Sequence, residues 1–257
     1  MNNVLLLVIF SLGSYLFGNI NWAIIISKLK KTDIRKLGSG NPGTLNMSRN
    51  LGLGIGLLTF FLDVMKGALP VLIVFFVTRN RFFVDTVFRV SDFAIFMCGL
   101  SVVLGHIYPV FFKFKGGKGI ASTIGVFLVA SSVCGWEWAV VAIMAIVAAT
   151  VFIYLTEFGA MGSFIAITPP AISSSIRLYL TYNSAENPYV IAFHIITNLL
   201  IFAICLFTWF AHRHNIKRML AGEEHPTSIK EMVVKMKAKK AAAKRAEEQN
   251  TNQTTNS

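Results

Sequence analysis

Charge is what this sequence has least of. Only 14% of its 257 residues are Asp, Glu, Lys or Arg, and just four are Asp; a soluble domain carries roughly 25% charge. So few charges cannot coat a soluble surface of this size. The apolar stretches must face lipid, whose hydrocarbon core takes about 20 helical residues to cross. Cysteine is scarcer still. Cys98, Cys134 and Cys205 sit in apolar stretches with no paired spacing. There is no CxxC and no Cys/His cluster, which excludes a disulfide framework and a zinc site. With no Asp near a pair of histidines, no metal is expected, nor any other cofactor. Residues 4–17 are apolar but lack a preceding basic stretch, so they read as a retained span and not as a cleaved signal peptide.

Against this background the sequence predicts an all-α, polytopic integral membrane protein with seven transmembrane helices. They lie near residues 4–26, 53–78, 91–111, 120–134, 139–156, 160–180 and 189–211. The fourth is short for a full crossing, which calls for tilt or a partly re-entrant start. A membrane domain over residues 1–225 is followed by a basic tail over 226–257. There, Lys- and Ala-rich sequence gives way from residue 249 to Asn, Thr, Gln and Ser. That composition suits a short basic surface helix followed by disorder.

The net charge of +12 is unevenly distributed. Nineteen of the 24 Lys and Arg fall in loop 27–52, loop 112–119 and the tail from His212. With seven spans these three segments share one side. The positive-inside rule makes that side the cytoplasm and puts the N-terminus outside the cell membrane. Arg79, Arg81 and Arg89 are a smaller, opposed set. Nucleic acid is a poor partner for a chain held mostly in lipid.

Three constellations carry chemistry. Residues 38–49 contain Gly38, Ser39, Gly40, Asn41, Gly43, Asn46 and Arg49. Glycines let backbone N–H groups converge on an anion, hydroxyls and amides add neutral donors, and an Arg forks onto phosphate. Residues 105–119 contain His106 and the run Lys115-Gly116-Gly117-Lys118, which suits a phosphate wrapped by amides with an ammonium on either side. It is not a Walker A loop, because Phe112 and Gly119 stand where that loop needs Gly and Ser or Thr. Residues 212–224 follow the last span. On a continuing helix His212, Asn215 and Met219 share a face, while Lys217 and Arg218 suit a snorkelling helix end. Asp63 and Lys66 interrupt the second span at i, i+3 spacing and read as an ion pair. No His is followed five residues on by Asp, so the H-x4-D dyad is missing, and so is a GxSxG elbow.

At these motifs the sequence resembles the bacterial acyl-phosphate:glycerol-3-phosphate acyltransferases, the PlsY family. DIRKLGSGNPGTLNMSRNLG is similar to that family's first signature. LDVMKG, GHIYPVFFKFKGGKGIAST and HRHNIKRMLAGEE are similar to its further blocks, in order, over residues 5–225. The resemblance implies a cytoplasmic site that moves a fatty acyl group from acyl-phosphate to the 1-position of glycerol-3-phosphate, giving lysophosphatidic acid and phosphate. This is the first acylation of phospholipid biosynthesis. It implies no acyl-CoA, acyl carrier protein or metal. The implied partners are the two substrates, membrane lipids and the enzyme that makes acyl-phosphate. Ser39, Asn46 and Arg49 match functional positions of the first motif, Lys115 and Lys118 the Lys-Gly-Gly-Lys positions, and His212 and Asn215 the H-x-x-N pair. Ser39, Lys118, His212 and Asn215 are expected to be catalytic, and Asn46, Arg49 and Lys115 to bind substrate; from their own chemistry Gly38, Gly40, Asn41, Gly43, Gly116 and Gly117 are expected to bind it too, with His106 and Ser163 as further candidates. The chain departs from the family's T-R-Y-x-S-x-x-S: over residues 156–163 the Arg and first Ser are replaced by Glu157 and Ala160, which leaves Ser163 as the hydroxyl. A transporter of anions or phospholipids is the competing reading. It would set its glycine-broken helices near the bilayer midplane, whereas here they lie at span ends.

Overall fold

A computed structural model describes residues 2–223, 227–228, 230–234, 236–238 and 241. Ten α-helices occupy residues 2–223: α1 (Asn3–Gly18), α2 (Trp22–Leu29), α3 (Thr44–Leu51), α4 (Leu53–Thr78), α5 (Val90–Ile107), α6 (Ile120–Ser132), α7 (Trp136–Thr156), α8 (Gly159–Tyr182), α9 (Pro188–Ala211) and α10 (Arg213–Leu220). The starts follow capping chemistry. Asn2, Asn21 and Asn187 each accept a backbone N–H of the helix that follows, at 2.9, 3.0 and 2.9 Å. Pro188 takes the first position of α9, where a missing N–H costs nothing.

Five segments are long and apolar enough to cross a membrane: Asn3–Leu29, Leu53–Thr78, Val90–Phe112, Trp136–Thr156 and Pro188–Ala211. The other two expected spans correspond to α6 and α8. With 13 residues, α6 rises only about 20 Å. The helix α8 is long enough, but it carries Pro169, Pro170, Ser173, Ser174 and Arg177. The first expected span is broken at residues 19–21, which separates α1 from α2 and opens the Ile20 carbonyl to a side-chain donor.

Helices pack here through glycine, as they must where lipid removes the hydrophobic drive between them. A side chain at Gly18 would strike the Val102 carbonyl, and one at Gly105 the Tyr15 carbonyl, so α1 and α5 touch backbone to backbone. Gly67 on Ser122 and Gly125 on Val64 lock α4 to α6 in the same way. In contrast α7 fully buries only Ala142, Ala145 and Ala149 and exposes much of its surface, including Ile143, Val147 and Val151. At the end remote from the motifs, Arg177 pairs with Asp92 at 3.0 Å and the Tyr182 hydroxyl donates to Asp92 at 2.5 Å. Charges are paired inside the bundle, as a low-dielectric setting requires.

Candidate functional site

Residues 37–51, expected as an open loop, are half helix. Gly38 and Gly40 adopt left-handed backbone, φ +53° and +68°, which a Cβ would strain. They turn the chain so that α3 starts after Gly43. Asn46 organises the turn. Its Oδ1 accepts from Ser39 N (3.2 Å) and Asn50 Nδ2 (2.9 Å), while its Nδ2 donates to the carbonyls of Ile34 (3.2 Å) and Leu37 (2.9 Å). The amide expected to meet substrate is therefore committed to holding the loop. No side chain caps α3, so its first-turn N–H groups and positive dipole end are open to an anion. Arg49 lies further along the same helix, and its Nη2 donates to Thr227 Oγ1 at 2.7 Å.

The second motif departs from expectation at its glycines. Gly116 N donates to Ile107 O at 3.1 Å and Gly117 N to His106 O at 3.2 Å. These amides are spent on the end of α5 and do not wrap a phosphate. Any side chain at Gly117 would run into the His106 imidazole and the Pro42 carbonyl, and one at Gly116 into the carbonyls of His106 and Ile107. The pair exists for close approach of backbone. Lys115 is exposed and outside the cavity described below. Lys118 is inside it, and its ammonium donates to Asn215 Oδ1. Gly119, at φ +84°, starts α6 without a side-chain cap.

The third motif bends where it enters. The last span ends at Ala211, and His212 joins α9 to α10. It is 4% exposed, and its Nδ1 donates to the Thr208 carbonyl at 2.9 Å. A carbonyl can only accept, so in the neutral ring Nε2 carries the lone pair. Burial first, and then the Lys118 ammonium, push its pKa down to about 4, so His212 is neutral at pH 7. Asn215 follows one turn later.

These segments close around one cavity of about 230 Å³. Polar and charged side chains line it, among them Ser39, Asn41, Asn46, Arg49, Lys118, Ser163, His212, Asn215, Arg218 and Thr227, together with Gly43. Apolar side chains from α4, α6, α7 and α8 line it as well: Phe60, Ile120, Ile124, Ile146, Ile153 and Ala166. Residues at the starts of α3, α6 and α8 all line it, and none of the three helices has a side-chain cap. The starts of these three helices thus line the same pocket as Lys118, Arg49 and Arg218. Gly38, Gly40, Gly116 and Gly117 shape the walls without lining them. Ser163 lines the cavity while its hydroxyl donates back to Gly159 O at 2.8 Å.

Against one wall lies a buried ionic cluster. Lys66 Nζ is 3.1 Å from Asp63 Oδ1, 2.6 Å from Ile20 O and 2.8 Å from His106 Nδ1. Asp63 and His106 also reach the cavity. The ion pair expected from the i, i+3 spacing is present, extended by a histidine from another helix. No group of three or more His, Cys, Asp or Glu that could hold a metal occurs among the described residues.

A profile described as glycerol-3-phosphate acyltransferase matches residues 8–222. The chain belongs to the glycerol-3-phosphate acyltransferase family. It is 39% identical to a glycerol-3-phosphate acyltransferase of Mycoplasmopsis pulmonis over 221 residues, 86% of this chain and 93% of the relative. It is 36% identical to that of Aquifex aeolicus over 224 residues, 86% of this chain and 97% of the relative. Among solved structures it is similar to PlsY (YgiH), an integral membrane glycerol 3-phosphate acyltransferase crystallised in a glycerol 3-phosphate form. That likeness has a TM-score of 0.63 and 32% identity, and covers 88% of this chain and 98% of the other. A lysophosphatidic acid form of PlsY matches with the same TM-score and identity.

Two further residues line the cavity of this acyltransferase family member, Arg218 and Thr227. In sequence Arg218 suits a snorkelling helix end, yet its Nε is buried; its position three residues after Asn215 is the available signal. Thr227 falls in the tail, and nothing local in the sequence marks it. The disorder expected from residue 249 lies outside the described residues.

Proposed function

We propose that this integral membrane protein transfers a fatty acyl group from acyl-phosphate to the 1-hydroxyl of glycerol-3-phosphate, releasing lysophosphatidic acid and inorganic phosphate. The observation that carries this reading is a single cavity lined both by cations with uncapped helix starts and by aliphatic side chains. The former suit two phosphate groups and the latter suit an acyl chain. Lys118 and Arg49 hold phosphates, joined by Arg218. Ser39, His212 and Asn215 orient glycerol-3-phosphate. Asn46 acts through the loop it builds.

The substrate hydroxyl oxygen attacks the acyl carbon, the carbon–oxygen bond to phosphate breaks, and phosphate departs with the bonding electrons. Acyl-phosphate is already activated, so positioning and charge stabilisation supply most of the acceleration. His212 Nε2 is suited to accept a hydrogen bond from the attacking hydroxyl. The proton of the attacking hydroxyl passes to a phosphate oxygen, and no acyl-enzyme forms.

Loop 27–52, loop 112–119 and the start of the tail all contribute to this one cavity, which supports a common face for them. Seven crossings, with α6 and α8 completing the set, and an excess of Lys and Arg on that face support a cytoplasmic site and an external N-terminus in the cell membrane. A cavity that the starts of three helices line favours surface chemistry over transport. The test is purified protein with palmitoyl-phosphate and glycerol-3-phosphate, scored for equal release of lysophosphatidic acid and phosphate. Silence with acyl-phosphate but turnover with acyl-CoA would overturn the donor. Trapping an acyl group on a serine would overturn the direct transfer.

A further inference from the structure

Arg49 and Thr227 are 178 residues apart in sequence and 2.7 Å apart in the structure. Thr227 lies beyond residues 8–222, the stretch that matches the family. It is nonetheless built into the site. It is 2% exposed and lines the cavity. Its backbone N–H donates to Glu157 O at 2.8 Å. Its hydroxyl rests on Gly159, where an added Cβ would come within 2.8 Å of Oγ1. Three residues on, Lys230 Nζ sits 4.8 Å from the Tyr154 ring centroid, a second tie between this segment and the end of α7.

We propose that Thr227 is a positioning residue for the substrate phosphate bound by Arg49, an inference that rests on the acyltransferase reading above. A hydroxyl has one proton and two lone pairs. The Arg49 contact uses a lone pair, because a guanidinium only donates. The proton of Thr227 must go elsewhere, and the cavity it lines is where a phosphate oxygen would meet it. The same contact fixes one arm of a long, flexible side chain before substrate arrives, lowering the entropy that binding must overcome. A displaceable plug would be held by its side chain alone. Thr227 is held by its backbone as well, and it takes only one of the five guanidinium donors.

The test is steady-state kinetics of full-length protein in detergent or vesicles, varying glycerol-3-phosphate and palmitoyl-phosphate in turn. Thr227→Val keeps the shape and removes the hydroxyl. It should raise KM for one of the two substrates about tenfold or more, the size expected for losing a hydrogen bond to a charged group, with kcat little changed. The substrate affected names the phosphate that Arg49 holds. Thr227→Ser should restore the wild-type KM, which a merely structural defect would not predict. Unchanged KM values in a folded Thr227→Val would overturn the proposal. A lowered KM would also overturn it, because Thr227 would then be a competitor. An inactive wild type would instead remove the acyltransferase reading itself.

Discussion

The Lys66 ammonium lies 2.8 Å from Nδ1 of His106, joining α4 to the last turn of α5 beside the cavity. Since an ammonium only donates, His106 accepts at Nδ1 and carries its proton on Nε2, the atom nearest Gly117. Lys66 therefore fixes the ring on which the Gly116–Gly117 turn is seated, and through that turn the position of Lys118.

Removing one member of this cluster should cost more than removing the pair. Lys66→Met leaves Asp63 buried without its cation and should destabilise the fold by about 3–5 kcal/mol. Adding Asp63→Leu to it should recover most of the loss. Thermal unfolding in detergent measures both; equal Tm values for the single and double variants would contradict the pairing.

Lys118→Ala should lower turnover by about 100-fold or more, the cost typical of deleting one group that stabilises developing charge. Asn215→Ala should cost less. Because Asn215 accepts from Lys118, the double variant should fall short of the summed effects. Near-normal turnover of Lys118→Ala in membranes would refute its assigned role.

The pH profile should carry no inflection between 6 and 7 that depends on His212. With its pKa near 4, His212 stays a neutral acceptor down to that region, and its loss of function on protonation should begin only as pH approaches 4. Stability follows the same sign. An unfolded histidine titrates near 6.5, so the contribution of His212 is complete above that pH and declines as pH falls towards about 4. An activity step near 6.5 that disappears in a His212 variant would contradict the buried, neutral ring.

The acyl slot predicts chain-length control. Ala166 lies two helical turns, about 10 Å, along α8 from Gly159, within the apolar part of the lining. Ala166→Phe should depress turnover of palmitoyl-phosphate while sparing lauroyl-phosphate, since each methylene denied burial forfeits about 0.8 kcal/mol. An unchanged ratio of the two would place the chain elsewhere.

Much of this was legible in the sequence, for identifiable reasons. Long apolar runs marked α4, α5, α7 and α9, and the ion-pair spacing marked Asp63 with Lys66. Ser39, Arg49, Lys118, His212 and Asn215, drawn from three separate motifs, line one cavity. Helix α3 was hidden because the glycines that set up its start also read as loop. Asn46, Gly116 and Gly117 looked like ligand donors because residue type alone does not say where an amide is already spent. Lys115 and Lys118 looked equivalent across Gly-Gly, until the turn sent one outward and the other in. Arg218 was marked only by its spacing from Asn215, and Thr227 depended on tertiary folding alone.

The glycine contacts divide the molecule into places that mutation can and cannot explore. At Gly18, Gly67, Gly105 and Gly125 an extra methyl group would meet the carbonyl of a neighbouring helix, so drift there is closed. Ala149, Ala160 and Ala166 line the cavity, where larger side chains would reduce its volume. Divergence in the lipids made by such enzymes should therefore be written in these alanines, while the glycines stand still.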